Sequence, residues 1–134
     1  MTQAAITTHI LDLESGEPAS GVPVTLECPD GQMLQATTDA DGRITEWQGL
    51  LALTAGTYEM RFKVGVYFSA RVVETFFDEI PVRFQTTTAR AHYHVPLLLS
   101  PFGYSTYRGS KSRAFDSKSN TSLANGPVAS TRIF

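Results

Sequence analysis

A chain of 134 residues, 42% hydrophobic and 18% charged, fits one domain with a self-sufficient core and has the composition of an ordinary soluble globular protein. Its formal net charge of −2 gives no overall argument for a nucleic-acid partner or an anionic membrane surface, and no stretch approaches the ~20 apolar residues of a membrane span. Cys28 is the one cysteine, which leaves no intrachain disulfide to form.

The chain opens without a basic segment leading into an apolar run, so no secretory signal is expected and a cytoplasmic location is. Ile6 to Asp12 reads as a first strand, with Ile6, Thr8 and Ile10 on one face and Thr7, His9 and Leu11 on the other. A lone His9 there suits a hydrogen-bonded surface position as well as a chemical one. After the turn residues Ser15-Gly16-Glu17-Pro18, Val22, Val24, Leu26 and Cys28 alternate along a second strand, with Pro23 marking an edge or a strand start. That alternation predicts a buried, inert Cys28 thiol.

Pro29-Asp30-Gly31, Asp41-Gly42 and Ala55-Gly56 read as turns. Arg43 follows the second of these. It is either solvated or placed to bind a heterocycle's carbonyls through its planar guanidinium. Tyr58, Met60, Phe62 and Val64 alternate with Glu59, Arg61 and Lys63, a strand with one wet face, and Val82 and Phe84 against Arg83 and Gln85 give another. Between them Val66, Ala70 and Val73 take helical spacing, so one short helix is expected over Val66 to Glu74. Short strands, regular turns and one helix describe an antiparallel β-sandwich.

The run His92-Tyr93-His94-Val95-Pro96-Leu97-Leu98-Leu99-Ser100-Pro101 is richer in polar function than a strand needs. His92 and His94 project from one face about 7 Å apart, while Tyr93, Val95, Leu97 and Leu99 take the other. Three readings stand open. The imidazoles could join His9 on zinc, although no acidic or cysteine ligand stands at a diagnostic spacing. One could serve as a general acid–base group. The pair could also be a polar strand face. Tyr107, Arg108, Gly109 and Ser110 then offer a phenol, a guanidinium, a flexible glycine and a hydroxyl in sequence.

Residues 1–110, a single predicted domain, carry seven Lys and Arg against twelve Asp and Glu, a net charge of −5. Residues 111–134 carry four basic groups against Asp116, a net charge of +3, and are rich in Ser, Thr and Asn. That composition predicts a flexible extension unless it docks through Phe115 or Ile133-Phe134. Phe134 is no recognised peroxisomal ending.

Thr8-His9-Ile10-Leu11-Asp12, Thr37-Thr38-Asp39-Ala40-Asp41-Gly42-Arg43 and the whole of His92 to Ser110 closely resemble the 5-hydroxyisourate hydrolases, the enzymatic branch of the transthyretin family. The resemblance spans about residues 5–110 and the last motif is the most specific. It implies a transthyretin-like sandwich of two four-stranded sheets with one short helix, assembled as a homotetramer, a dimer of dimers. The implied reaction opens the six-membered ring of 5-hydroxyisourate to 2-oxo-4-hydroxy-4-carboxy-5-ureidoimidazoline in urate degradation, with no metal or organic cofactor.

By the same resemblance His9, Arg43 and His94 are the catalytic residues and Tyr107, Arg108, Gly109 and Ser110 bind the substrate. The two histidines would deprotonate a water, Arg43 would stabilise the oxyanion, and His92 is given no catalytic role. A non-catalytic small-molecule carrier on the same scaffold is the alternative. The hormone-carrying branch of the resembled family shares the Leu-Leu-Ser-Pro segment but lacks counterparts of His9, Arg43, His94 and the Tyr-Arg-Gly-Ser ending. The resembled chains usually stop at Ser110, whereas 24 residues follow here.

Overall fold

The computed structural model describes residues 4–110, so the extension expected over 111–134 lies outside the described residues. In chain order the elements are β1 (Ile6–Asp12), β2 (Glu17–Pro18), β3 (Pro23–Glu27), β4 (Met33–Thr37), β5 (Arg43–Ile44), β6 (Gly56–Phe62), α1 (Val64–Ala70), β7 (Ile80–Thr86), β8 (Tyr93–Ser100) and β9 (Gly103–Thr106). They form two sheets. One runs β2-β1-β8-β9 with β5 also paired to β1, and the other runs β4-β3-β6-β7. The expected pair of four-stranded sheets is therefore present, the first gaining the two-residue strand β5.

The strand alternation read along the chain decides what faces inward. Ile6 and Ile10 of β1, Val24 and Leu26 of β3, Tyr58, Met60 and Phe62 of β6, and Val95, Leu97 and Leu99 of β8 are all buried between the sheets. Removing the side chain of fully buried Phe62 would cost about 3–5 kcal/mol. Pro23 opens β3, as expected, and Pro81 sits in β7 at the margin of its sheet, where a missing N–H costs no ladder bond. Cys28 is buried, and burial followed by the charges of Asp30 and Glu27 pushes its thiol up.

Two local expectations are corrected. Val64 does not extend the strand before it but opens the helix, which covers Val64–Ala70 rather than Val66 to Glu74. Val64, Tyr67 and Phe68 form its buried face, a spacing that the apparent continuation of the β6 alternation through Val64 concealed. The helix stops early because Val72 takes a left-handed backbone (φ 58°) while the Arg71 and Val73 amides both donate to the Phe68 carbonyl. Tyr67 then ties the helix to the end of β1 by donating to the buried Asp12 carboxylate at 2.7 Å. Burial, and after it this bond, raise the Tyr67 hydroxyl to about 12.

The pairing most important for the site is parallel. β1 lies beside β8 with Ile6 opposite Tyr93, Thr7 opposite His94 and Thr8 opposite Val95. On the other side of β1, β5 pairs antiparallel and sets His9 opposite Arg43. Among the described residues no helix is long and apolar enough to cross a membrane.

Candidate active site

Side chains at odd positions of β1 and even positions of β8 leave the core and share the outer face of the first sheet. Register then does the rest. Thr7 and His94 are direct neighbours, and Thr7 Oγ1 lies 2.8 Å from His94 Nδ1 across 87 residues of sequence. His9 stands two residues along on the same face, with Arg43 opposite it on β5. Thus β1, β5 and β8 bring His9, Arg43 and His94 to one patch.

A tight turn presents Arg43. Asp39 Oδ1 accepts from the Asp41 and Arg43 amides at 2.9 and 3.0 Å, while the Gly42 amide donates to the Asp39 carbonyl. Gly42 must be glycine: its φ is +73°, and a Cβ there would stand 2.6 Å from the Ile10 carbonyl oxygen. The Asp41 backbone in turn hydrogen-bonds His9. The loop therefore fixes the backbone that carries Arg43 and one of the imidazoles.

On its far side His94 is backed by the chain's return. The Leu97–Thr106 pairing of β8 and β9 continues in register to an isolated bridge between His94 and Gly109, whose amide donates to the His94 carbonyl at 2.8 Å. Pro96 interrupts the ladder between them because it has no N–H to give. The Thr106 hydroxyl bonds the Pro96 carbonyl instead, at 2.7 Å.

The electrostatics follow from this crowding. Burial first, then the charges of His9, Arg43 and His92, lower His94 to about 4. Burial and then Arg43 also pull His9 below its ordinary value, against the opposing pull of the Asp41 backbone and the Asp39 and Asp41 carboxylates. Both rings are held neutral near pH 7 beside a permanent cation. Each therefore keeps a nitrogen lone pair, while the guanidinium offers planar donors to a developing oxyanion.

Placement of the remaining expected site residues is uneven. Gly109 packs against the His94 ring. Tyr107 and Arg108 line a separate cleft of about 290 Å³ with Val82, Arg83, Phe84 and Val95, where the β7 and β9 edges of the two sheets meet. Ser110 is exposed at the end of the described chain. His92 lies on the outer face near His94. Among the described residues no group of three or more His, Cys, Asp or Glu is placed to hold a metal ion. Thr7 is the functional candidate that sequence reading passed over. Its face was legible, but its neighbour depended on a parallel register between strands 80 residues apart.

Together these features define a transthyretin-like sandwich bearing an imidazole–guanidinium cluster on one outer sheet face. A family model described as the HIUase/Transthyretin family matches residues 6–109, and the chain belongs to that family. It is 48% identical over 109 residues to a 5-hydroxyisourate hydrolase of Salmonella typhimurium, covering 78% of this chain and 80% of that one. Among solved structures it is similar to a Klebsiella pneumoniae 5-hydroxyisourate hydrolase, with TM-score 0.69, 38% identity and coverage of 78% of this chain and 98% of that one. It is also similar to sea bream transthyretin in complex with thyroxine, with TM-score 0.71, 29% identity and coverage of 83% and 99%.

Proposed function

We propose that this chain hydrolyses 5-hydroxyisourate, with His9, Arg43 and His94 carrying the reaction. The observation that supports it best is the register that puts two neutral imidazoles and one guanidinium on a single sheet face. Backbone likeness does not separate hydrolase from carrier, since TM-scores of 0.69 and 0.71 are equivalent. Identity over the same solved structures does: 38% to a hydrolase against 29% to a hormone-bound transthyretin.

In the proposed mechanism a water held between His9 and His94 attacks a ring carbonyl of the substrate. As the oxygen–carbon bond forms, the water's proton passes to an imidazole and the carbonyl electrons move onto oxygen beside Arg43. Collapse of that intermediate breaks the ring carbon–nitrogen bond, and the imidazolium returns its proton to the departing nitrogen. The same guanidinium links the two events. Burial is the larger cause of the depressed imidazoles in the resting site, but the guanidinium charge adds to it, and negative charge forming beside Arg43 relieves that part as the ring must accept a proton. Gly109 and Ser110 are assigned to substrate positioning beside this face, and Tyr107 and Arg108 to the same role from the separate cleft they line. No metal or organic cofactor enters the scheme.

The reading extends to a homotetramer, a dimer of dimers, in the cytoplasm, with residues 1–110 as the hydrolase domain and 111–134 as an extension. The margins of β7 and β9, which pair with no further strand among the described residues and so offer backbone groups to another copy, support the assembly. The deciding experiment follows the absorbance decay of freshly generated 5-hydroxyisourate, with sedimentation of the same sample. Acceleration well above the spontaneous rate is expected. Decay at the spontaneous rate, with retained binding of an aromatic ligand, would establish the carrier instead.

A further inference from the structure

We propose that Thr7 is a positioning residue for this reaction: its hydroxyl oxygen accepts a hydrogen bond from His94 Nδ1–H, leaving Nε2 as the nitrogen that takes the proton from water. The inference rests on the hydrolase reading and names a residue that the reading does not use.

Geometry confines the His94 ring from two sides. On the β1 side Nδ1 is 2.8 Å from Thr7 Oγ1, and Thr7 is itself only 2% exposed. On the β9 side the ring's Cδ2 edge lies so close to Gly109 that a β-carbon there would approach it to 2.8 Å. With Nδ1 directed at one strand and Cδ2 at the other, Nε2 is the ring nitrogen that points away from the sheet. It alone can meet a water or a substrate. A neutral imidazole carries one proton, and the hydrogen bond made at one nitrogen decides which of the two holds it. A ring with the proton on Nε2 would face the water as a donor, the wrong sense for taking its proton. The Thr7 hydroxyl can donate or accept; in the proposed arrangement its oxygen accepts from Nδ1–H and holds the other tautomer, the role that carboxylates or carbonyls play for catalytic histidines elsewhere.

The strand neighbours of Thr7 have other duties. Thr8 turns to the core side and donates to the Val95 carbonyl at 2.5 Å, so its hydroxyl cannot substitute. The charged and titratable groups around His94 are His9 on β1, Arg43 on β5 and His92 on its own strand. At Nδ1 itself the neighbouring group is the Thr7 hydroxyl, at 2.8 Å.

The test uses the full chain and two variants. Thr7→Val keeps the shape and removes the hydroxyl, whereas Thr7→Ser keeps the hydroxyl and removes the methyl. In Thr7→Val kcat is expected to fall on the order of 10- to 100-fold, the loss typical when a functional histidine loses the group that orients it. KM should stay within about threefold, because the ground-state contacts of the substrate are untouched. Thr7→Ser should recover most of the lost turnover. Long-range proton–nitrogen NMR on the unaltered protein, which has three histidines to assign, should place the neutral His94 proton on Nδ1.

A proton found on Nε2 overturns the proposal even if Thr7→Val fails to fold. So does a folded Thr7→Val with unchanged kcat, or a Thr7→Ser as slow as the valine variant. The NMR result is independent of turnover. An inactive wild-type chain with the expected tautomer would therefore fault the hydrolase reading while leaving the Thr7–His94 hydrogen bond and the tautomer it holds intact.

Discussion

A β-carbon on Gly109 would stand 2.8 Å from His94 Cδ2 and 3.2 Å from Pro96 Cγ, so the His94 ring has no room to yield on that side. Gly109→Ala must push the ring, the backbone or both. Because a misplaced catalytic group loses rate steeply, turnover should fall by about 10²-fold, with a much smaller effect on thermal stability. Steady-state kinetics beside a melting curve would separate the two. Arg43 is the opposite case, an exposed residue whose value lies in charge. Arg43→Ala should cost on the order of 10²–10³ in kcat, the range for losing one oxyanion donor. It should also raise the His94 pKa from about 4, because the guanidinium is one of the causes holding it down. Proton NMR of the ring would show that shift. Kinetics that change without it would mean that Arg43 acts on the substrate alone.

Among the elements, the Asp39–Arg43 turn was readable in advance: Asp41-Gly42 marks it and Arg43 follows. The role of Asp39 was not, because nothing local says that one carboxylate oxygen will bond two amides of the same turn. Asp39→Ala loses both bonds and should destabilise the fold by about 1–2 kcal/mol while loosening Arg43 and His9 together. Asp39→Asn keeps an acceptor and should lose less stability, a difference that urea unfolding would measure. The helix end offers the reverse experiment. Val72, 93% exposed and β-branched, occupies a left-handed conformation that glycine adopts freely. Val72→Gly is expected to stabilise the protein by about 0.5–1 kcal/mol, seen as a rise in Tm. Sequence periodicity misplaced this helix because Val64 satisfies a period of two and a period of 3.6 at once. Only burial of Val64, Tyr67 and Phe68 on one face decides between them.

For the whole molecule, the two-layer sandwich was legible because strand alternation reports burial directly. The meeting of His9, Arg43 and His94 was legible only through likeness to a family, since a parallel pairing between β1 and β8 leaves no local trace. The position of Arg108 was not legible in the chain. Beyond β9 the chain leaves the ladder, and Tyr107 and Arg108 together line the intersheet cleft before Gly109 bridges back to His94. Burying neutral histidines also leaves a signature in the stability of the entire fold. In the unfolded chain His94 titrates near its ordinary 6.5, whereas in the native protein it does so near 4. Between those values the unfolded state binds the proton and the native state does not, so acidification favours unfolding. The native protein should therefore lose stability as pH falls from about 6.5 to about 4, by at most about 3–4 kcal/mol from this group, and no further below that. His9, lowered by burial and then by Arg43, adds a loss of the same sign. Glu59, held low first by its hydrogen bond from Arg61, contributes its own acid loss, but that loss is common to any variant of the outer face. Subtracting the urea-unfolding curve of His94→Asn from that of the wild type should thus isolate a slope confined to this window. Curves that run parallel from about pH 7 to about pH 4 would show that His94 is not held neutral by its surroundings.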